Sequence, residues 1–311
     1  MNKLLVGLDI GGTKCAVITG FLNEAGGISI EAREAFPTPL IQEEAIQRLG
    51  DLVERMSAGR EISGIGISAG NPMAAEKGML LNPPNLPGWT GISMTECMTE
   101  RFRAPARMEN DANACALAEY CLGAGRGSQN MVFITFGTGF GAGLILDGKL
   151  YRGATGCAGE VGHWRLSNYG PSGYGKLGSF EGFCSGGGMA QLAQTIAHRY
   201  IQNGSSPSYQ SFDVKTVAEA ARMGDPAALE VFDICGKRLG QGLAMVSDLL
   251  DVERIVLGSI FARCEDLLVK PMREVFDNET LSNGTQILPA ALGEQIGDYA
   301  ALTIAAMLMS E

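Results

Sequence analysis

Two stretches of the chain repeat one pattern of apolar and small residues. LLVGLDIGGTKCAVITGF, from Leu4 to Phe21, and MVFITFGTGFGAGLILDGKL, from Met131 to Leu150, each run strand, Gly/Thr turn, strand, with β-branched and apolar residues on both sides of the turn. The repetition predicts a duplicated domain. Between the two, IQEEAIQRLGDLVERM (Ile41 to Met56) carries apolar residues at helical spacing. ISGIGISAG, from Ile62, reads as a short buried strand, and Asp111 to Tyr120 as an alanine-rich helix opened by an Asn-Asp cap. Farther on, the pattern predicts helices over about Met189 to Tyr200, Val214 to Arg222 and Ala227 to Leu250. A strand at RIVLGSI precedes another helix, and the apolar run Tyr299 to Met309 reads as a buried terminal helix. Strands and helices interleave in both halves, so the fold class is α/β.

A chain of 311 residues exceeds one ordinary domain, and two are expected, each able to bury a core. Apolar residues at 46% and charged residues at 19% describe a soluble globular protein. A net charge of -10 without any Lys/Arg cluster argues against nucleic acid or an anionic membrane as partner, because phosphate-rich surfaces need a basic patch. The opening MNKLLVGLDIGG is too short an apolar run for a signal peptide and is broken by Asp9, and Tyr299 to Met309 is only about half a membrane span. Eight cysteines are scattered without a C-x-x-C pair, a pattern of reduced, buried thiols in a cytoplasmic protein. Chemistry on a small molecule is the remaining expectation.

The paired turns are the first candidates for that chemistry. Gly11, Gly12 and Thr13, with Lys14 behind them, form a hairpin tip whose backbone N–H groups could approach an anion, since glycine lacks a Cβ and adopts unusual φ values; Gly137, Thr138 and Gly139 form a second. Either alone is an ordinary hairpin tip. Two in corresponding places of a duplicated fold suggest opposing jaws on a polyphosphate, and neither a G-x-x-x-x-G-K-[ST] loop nor a G-x-G-x-x-G turn between strand and helix is present. Asp9, ending the first strand, would hold hydrated Mg²⁺ beside the phosphates, or else cap the turn. In ENDANACALAEY, from Glu109, Asn110 or Asp111 caps a helix, and an Asp at such a junction also suits a general base during phosphoryl transfer. Glu160, His163 and Glu181 bracket a glycine-rich loop and could bind vicinal hydroxyls of a polyol, while NPPNLPGW offers the amide of Asn85 to a sugar.

Together these segments resemble the ROK family of sugar kinases and repressors, within the actin-like, hexokinase-like ATPases. The resemblance spans nearly the whole chain: LDIGGTK from Leu8, NPPNLPGW, ENDANA from Glu109, ITFGTGFGAG from Ile134, GEVGH from Gly159 and LDVERIVLGS from Leu250. It implies two actin-like (ribonuclease H-like) domains, residues 1–118 with 295–311 and residues 119–294, and a sugar bound in the cleft between them. It also implies ATP and Mg²⁺ as cofactors, phosphate contacts at Gly11 to Lys14 and Gly137 to Gly139, and an adenosine-side turn at Gly258. Asp111 matches the catalytic base, and Asn85, Asn110, Glu160, His163 and Glu181 match positions that contact sugar hydroxyls. The expected activity is phosphorylation of a hexose at its primary hydroxyl by a homodimer. Repressors of the family carry a helix-turn-helix before the first glycine turn, for which the eight residues before Asp9 leave no room. A sugar sensor without catalysis and a kinase of another small polyol are the alternatives.

One departure stands out. The family's loop runs Cys-x-Cys-Gly-x-x-Gly-Cys-x-Glu and binds structural zinc with a preceding histidine, whereas here the frame reads SGYGKLGSFE, from Ser172 to Glu181. All three thiolates are replaced, and serine and tyrosine hydroxyls are poor zinc ligands at neutral pH. The expectation is a zinc-free protein in which His163 serves the sugar only. Packing of Tyr174, Leu177 and Phe180, together with hydroxyl hydrogen bonds, would hold the loop; a loop without fixed structure is the alternative.

Overall fold

The computed structural model describes residues 3–24, 26–282 and 284–309, and the chain divides into two units. The first contains the chain through Gly127, Leu150–Ala158 and the chain from Glu294 onward; the second contains Ser128–Lys149 and Gly159–Gly293.

The first unit begins β1 (Lys3–Ile10), β2 (Lys14–Leu22), β3 (Ile28–Pro37), α1 (Gln42–Ser57) and β4 (Ile62–Ala69). It continues with β5 (Met73–Ala74), β6 (Met79–Leu81), β7 (Thr90–Ser93), α2 (Met94–Phe102), β8 (Ala106–Asn110) and α3 (Asp111–Leu122). Its main sheet has the order β3-β2-β1-β4-β8, and β5-β6-β7 form a small second sheet. The β1–β2 and β2–β3 pairs are antiparallel, and β1–β4 and β4–β8 are parallel. Alternation along β1 sends Leu4, Val6, Leu8 and Ile10 into a core with Ala45, Leu49 and Val53 of α1, and Leu5 to the opposite face. Register then places Asp9, Ser68 and Glu109 side by side at the ends of three strands.

The second unit repeats the plan. It contains β9 (Met131–Phe136), β10 (Phe140–Leu146), the first residue of β11 (Lys149–Tyr151), β12 (Ser172–Gly173), β13 (Lys176–Leu177), α4 (Phe180–Cys184) and α5 (Gly186–Gln202). There follow α6 (Val214–Arg222), α7 (Pro226–Leu250), β14 (Arg254–Leu257), α8 (Ile260–Arg263), α9 (Glu265–Glu279) and β15 (Gln286–Pro289). Its sheet, β11-β10-β9-β14-β15, again sets an antiparallel hairpin beside parallel strands. The Asp225 carboxylate accepts from the Ala228 N–H and caps α7, whose first residue, Pro226, brings its φ preset.

Helix α10 (Ile296–Met307) belongs to the first unit and covers the Leu5 face of its sheet through Ala301, Leu302 and Ala305. The strands beneath it are floored with glycine. A Cβ on Gly66 would lie 2.0 Å from the Ala301 carbonyl oxygen, one on Gly64 2.7 Å from that of Ala305, and one on Gly7 2.8 Å from the Ala301 Cβ. Helix backbone therefore rests on strand backbone. Gly66→Ala is expected to lower the unfolding free energy by roughly 3 kcal/mol, since the obstacle is main chain and cannot swing aside. Gly70, with nothing near its Cβ position, is the matched control: Gly70→Ala should change stability by less than about 1 kcal/mol, and equal denaturation midpoints for the two variants would contradict the close approach.

Candidate active site

In the first unit, chain parity turns Asp9 toward the start of α10, where a Cβ on Gly297 would lie 3.5 Å from its Oδ2. Asp298 follows; it is 8% exposed and accepts a 2.8 Å hydrogen bond from Nε of Arg33. Burial above all, with the charge of Asp298 and to a smaller degree that of Asp111, lifts the Asp9 carboxyl to about 6 against the opposing pull of Arg33. The arrangement concentrates negative charge where a hard cation would be held by oxygen.

The turn after Asp9 is closed by the Gly11 N–H donating to the Lys14 carbonyl at 3.0 Å. Thr38 braces it: its hydroxyl donates to the Gly11 carbonyl at 2.6 Å and its N–H to the Thr13 carbonyl at 3.1 Å. Gly12, Thr13 and Lys14 are exposed. The expectation that these glycines supply unusual φ values is corrected here, because none of Gly11, Gly12, Gly137 and Gly139 has φ between +20° and +160°. Gly12 is required instead by proximity, since a Cβ there would lie 2.6 Å from the Asn85 carbonyl oxygen. Asn85 is exposed on a loop anchored by Trp89, which is 1% exposed and donates from Nε1 to the Leu40 carbonyl at 3.3 Å.

Of the two capping candidates, Asn110 is the cap: its Oδ1 accepts from the Ala112 and Asn113 N–H groups at 3.1 and 3.2 Å. Its Nδ2 donates to Oδ1 of Asp111 at 3.1 Å, and Asp111 itself is exposed as the first residue of α3. Beneath lies a residue to which sequence reasoning gave no role. Glu109 is 2% exposed; its Oε1 accepts from the Asn110 N–H at 3.1 Å and from Asn113 Nδ2 at 3.0 Å, and its Oε2 from Arg152 Nε at 2.8 Å. A buried carboxylate satisfied on both oxygens fixes the backbone on which Asn110 and Asp111 stand.

In the second unit, the Gly137–Gly139 turn docks on the start of α5, where the Gly186 N–H donates to the Gly137 carbonyl at 2.8 Å. The residue after Gly258 and another site candidate, Glu181, meet it. A Cβ on Gly137 would lie 3.6 Å from Ser259 Oγ, and one on Gly139 3.3 Å from Glu181 Oε2, which accepts from the Phe140 N–H at 3.1 Å. Gly258 donates from its N–H to the Ile134 carbonyl at 3.0 Å, and Ser259 after it adopts φ 53° and ψ -108°, a backbone conformation that serine seldom takes. Burial raises the Glu181 carboxyl; the Phe140 N–H opposes this and the charge of Glu160 adds to it. Glu160 Oε2 stands 4.0 Å from His163 Nε2, beyond hydrogen-bond reach. Beside Ile260 opens a cavity of about 300 Å³, bordered among others by Val214, Lys215, Arg222, Arg263 and Cys264. No motif announces those residues.

A sequence model of the ROK family matches residues 5–311. The chain belongs to the ROK family. It is 31% identical to the glucokinase of Streptomyces coelicolor over 315 aligned positions, which cover 99% of this chain and 98% of that one. A ROK family glucokinase from Streptomyces griseus, solved with glucose and AMPPNP, aligns with a TM-score of 0.77 at 30% identity, covering 98% of this chain and 99% of its own. The ROK hexokinase of Thermus thermophilus aligns with a TM-score of 0.80 at 27% identity over 99% of each chain. The fold is accordingly the α/β actin-like ATPase fold expected from the motifs.

The loop in which the resemblance implies structural zinc carries Ser172, Tyr174 and Ser179 where the thiolates would stand. Ser172 is tied through its main chain to Gln191, Ser179 uses its hydroxyl on the Gly173 and Gly182 backbone, and Tyr174 lies ring to ring with His163. Among the described residues, no cluster of three or more His, Cys, Asp and Glu side chains is arranged for a metal. Phe180 is fully buried and the serine hydrogen bonds are present, but Leu177 is 55% exposed and does not pack as expected: β13 turns it outward at the hairpin edge.

Asp9 supplies a pH test. With its carboxyl raised to about 6 in the folded state, the fold binds a proton that the unfolded chain releases near pH 4, so stability falls as pH rises through that window. Asp9→Asn should therefore stabilise the protein at pH 7.5, on the order of 2 kcal/mol, and lose that advantage by pH 4. Denaturant titrations at the two pH values check it; a gain independent of pH would contradict a buried-charge origin.

Proposed function

We propose that the chain is an ATP-dependent hexokinase in which Asp111 is the general base. The observation that carries the reading is the setting of Asp111: an exposed carboxylate at the start of α3, locked from below by Asn110 and the buried Glu109, and sharing the first unit with Asp9 and the Gly11–Lys14 turn. Asp111 takes the proton of the sugar's primary hydroxyl, its oxygen bonds to the γ-phosphorus, and the bond to the β-phosphate oxygen breaks to release ADP. Backbone N–H groups of the two glycine turns and Lys14 bind phosphate oxygens. Asp9 would hold hydrated Mg²⁺, which supplies neutralising charge to the phosphates. Glu160, His163, Glu181, Asn85 and Asn110 bind sugar hydroxyls, and the cavity bordered by Ile260, two residues after the Gly258 turn, receives the nucleoside. Zinc has no part in this reading, and a cytoplasmic homodimer is its natural setting.

Release of ADP measured across glucose, mannose, fructose, allose and N-acetylglucosamine tests the activity and selects the sugar. With the best of them, Asp111→Asn should lower kcat at least about 100-fold while changing sugar KM far less. Near-normal turnover in that variant removes Asp111 as base. Chelation followed by restoring Mg²⁺ should leave activity intact, and one zinc per chain lost together with activity would refute the zinc-free reading.

A further inference from the structure

The hairpin of β12 and β13 pairs Ser172 with Leu177 and Gly173 with Lys176, leaving a two-residue turn of Tyr174 and Gly175. Both turn residues have positive φ, 50° and 68°. Such a turn favours Asn-Gly or Gly-Gly, and a tyrosine at its first position holds a left-handed backbone that its Cβ opposes. Strain retained against an easy alternative directs attention to what the side chain does. The Tyr174 ring is stacked on His163, with centroids 4.3 Å apart and planes 22° from parallel, although the tyrosine as a whole is 59% exposed. Two residues on, Lys176 holds the same histidine by its main chain, Nζ donating to the His163 carbonyl at 2.7 Å. Among the described residues no hydrogen bond engages the imidazole, and Glu160 stands 4.0 Å away.

We infer that Tyr174 is a positioning residue: its ring, carried on a strained turn, sets the orientation in which the His163 imidazole meets a sugar hydroxyl. The inference rests on the assignment of His163 as a sugar contact. It adds that this chain orients the imidazole by an aromatic face, at a position where family members place a thiolate. Stacking fixes the plane of the imidazole while leaving its edge nitrogens open to a ligand, and a merely structural residue at this turn would serve better as asparagine or glycine.

Tyr174→Gly and Tyr174→Phe separate the two roles. The glycine variant relieves the strained turn and should melt no lower than the parent protein. Its KM for the sugar selected by the panel should nevertheless rise roughly three- to tenfold, the contribution of one neutral hydrogen bond, with kcat and the KM for ATP nearly unchanged. The phenylalanine variant keeps the ring and should retain the parent KM. A signature independent of activity comes from proton NMR, because the chain has only two histidines, His163 and His198. One imidazole should show ring-current displacement in the parent and Tyr174→Phe proteins and lose it in Tyr174→Gly. An unchanged sugar KM in Tyr174→Gly, or a phenylalanine variant as impaired as the glycine one, overturns the inference. His163→Ala shows which claim has failed: a raised sugar KM there leaves the sugar contact standing, whereas indifference to both substitutions removes the contact and the inference together.

Discussion

Much of the first unit follows from how closely α10 lies on its sheet. Strand residues that would ordinarily carry side chains toward the helix are glycine, and main chain meets main chain at Gly66 and Gly64. The approach carries Gly297 to Asp9 and Asp298 to Arg33, so the helix that closes the unit also sets the electrostatics of its strand end. Asp9 is thereby held as a carboxylate among carboxylates, with Arg33 as the opposing charge that acts on it. A bulkier floor would separate helix and sheet and give water access to Asp9, removing the burial that lifts its carboxyl.

The two units share a sheet plan but support their glycine turns differently. In the first, Thr38 braces the turn from the side and Asn85 backs Gly12. In the second, the turn leans on the N-terminus of α5 and stands against Ser259 and Glu181. Carboxylates stand beside both turns, but only at the second does a 17-residue helix direct the positive end of its dipole toward the turn. Duplication thus supplied two similar hairpins, and the elements packed behind them made their electrostatics unlike.

Regular elements with a clear period were legible in the chain. Val214–Arg222 begins and ends where the pattern places it, and α7 starts one residue before the expected Ala227 because its cap, Asp225, precedes Pro226. Strands β3 and β8 were not legible, since ISIEAREAFP and ARMEN carry charges that periodicity reads as loop or surface. Glu109 shows the cause most plainly: the charge that argues for solvent is buried, and its partner Arg152 lies 43 residues along the chain. The glycine turns could be located from composition, but not the reason for their glycines. That reason is the Asn85 main chain at Gly12, a tertiary contact that no local rule encodes.

Left-handed non-glycine residues such as Ala58, Arg103 and Asp251 close helices, but three others stand beside the candidate site groups. Ser259 takes a backbone that serine avoids and faces Gly137, while Tyr174 takes one that tyrosine avoids and faces His163. Asn82, also left-handed, accepts from the Gly88 N–H at 2.7 Å and shapes the loop that presents Asn85. Each departure is held by a specific partner, and each partner either carries a proposed ligand contact or supports one. Relief of the strain by a more permissive residue would leave the fold intact and release the side chain that the strain positions. A glycine at Tyr174 would relieve the strain, since Gly175 already completes the turn, and the aromatic ring that stands there instead points to the imidazole it stacks on.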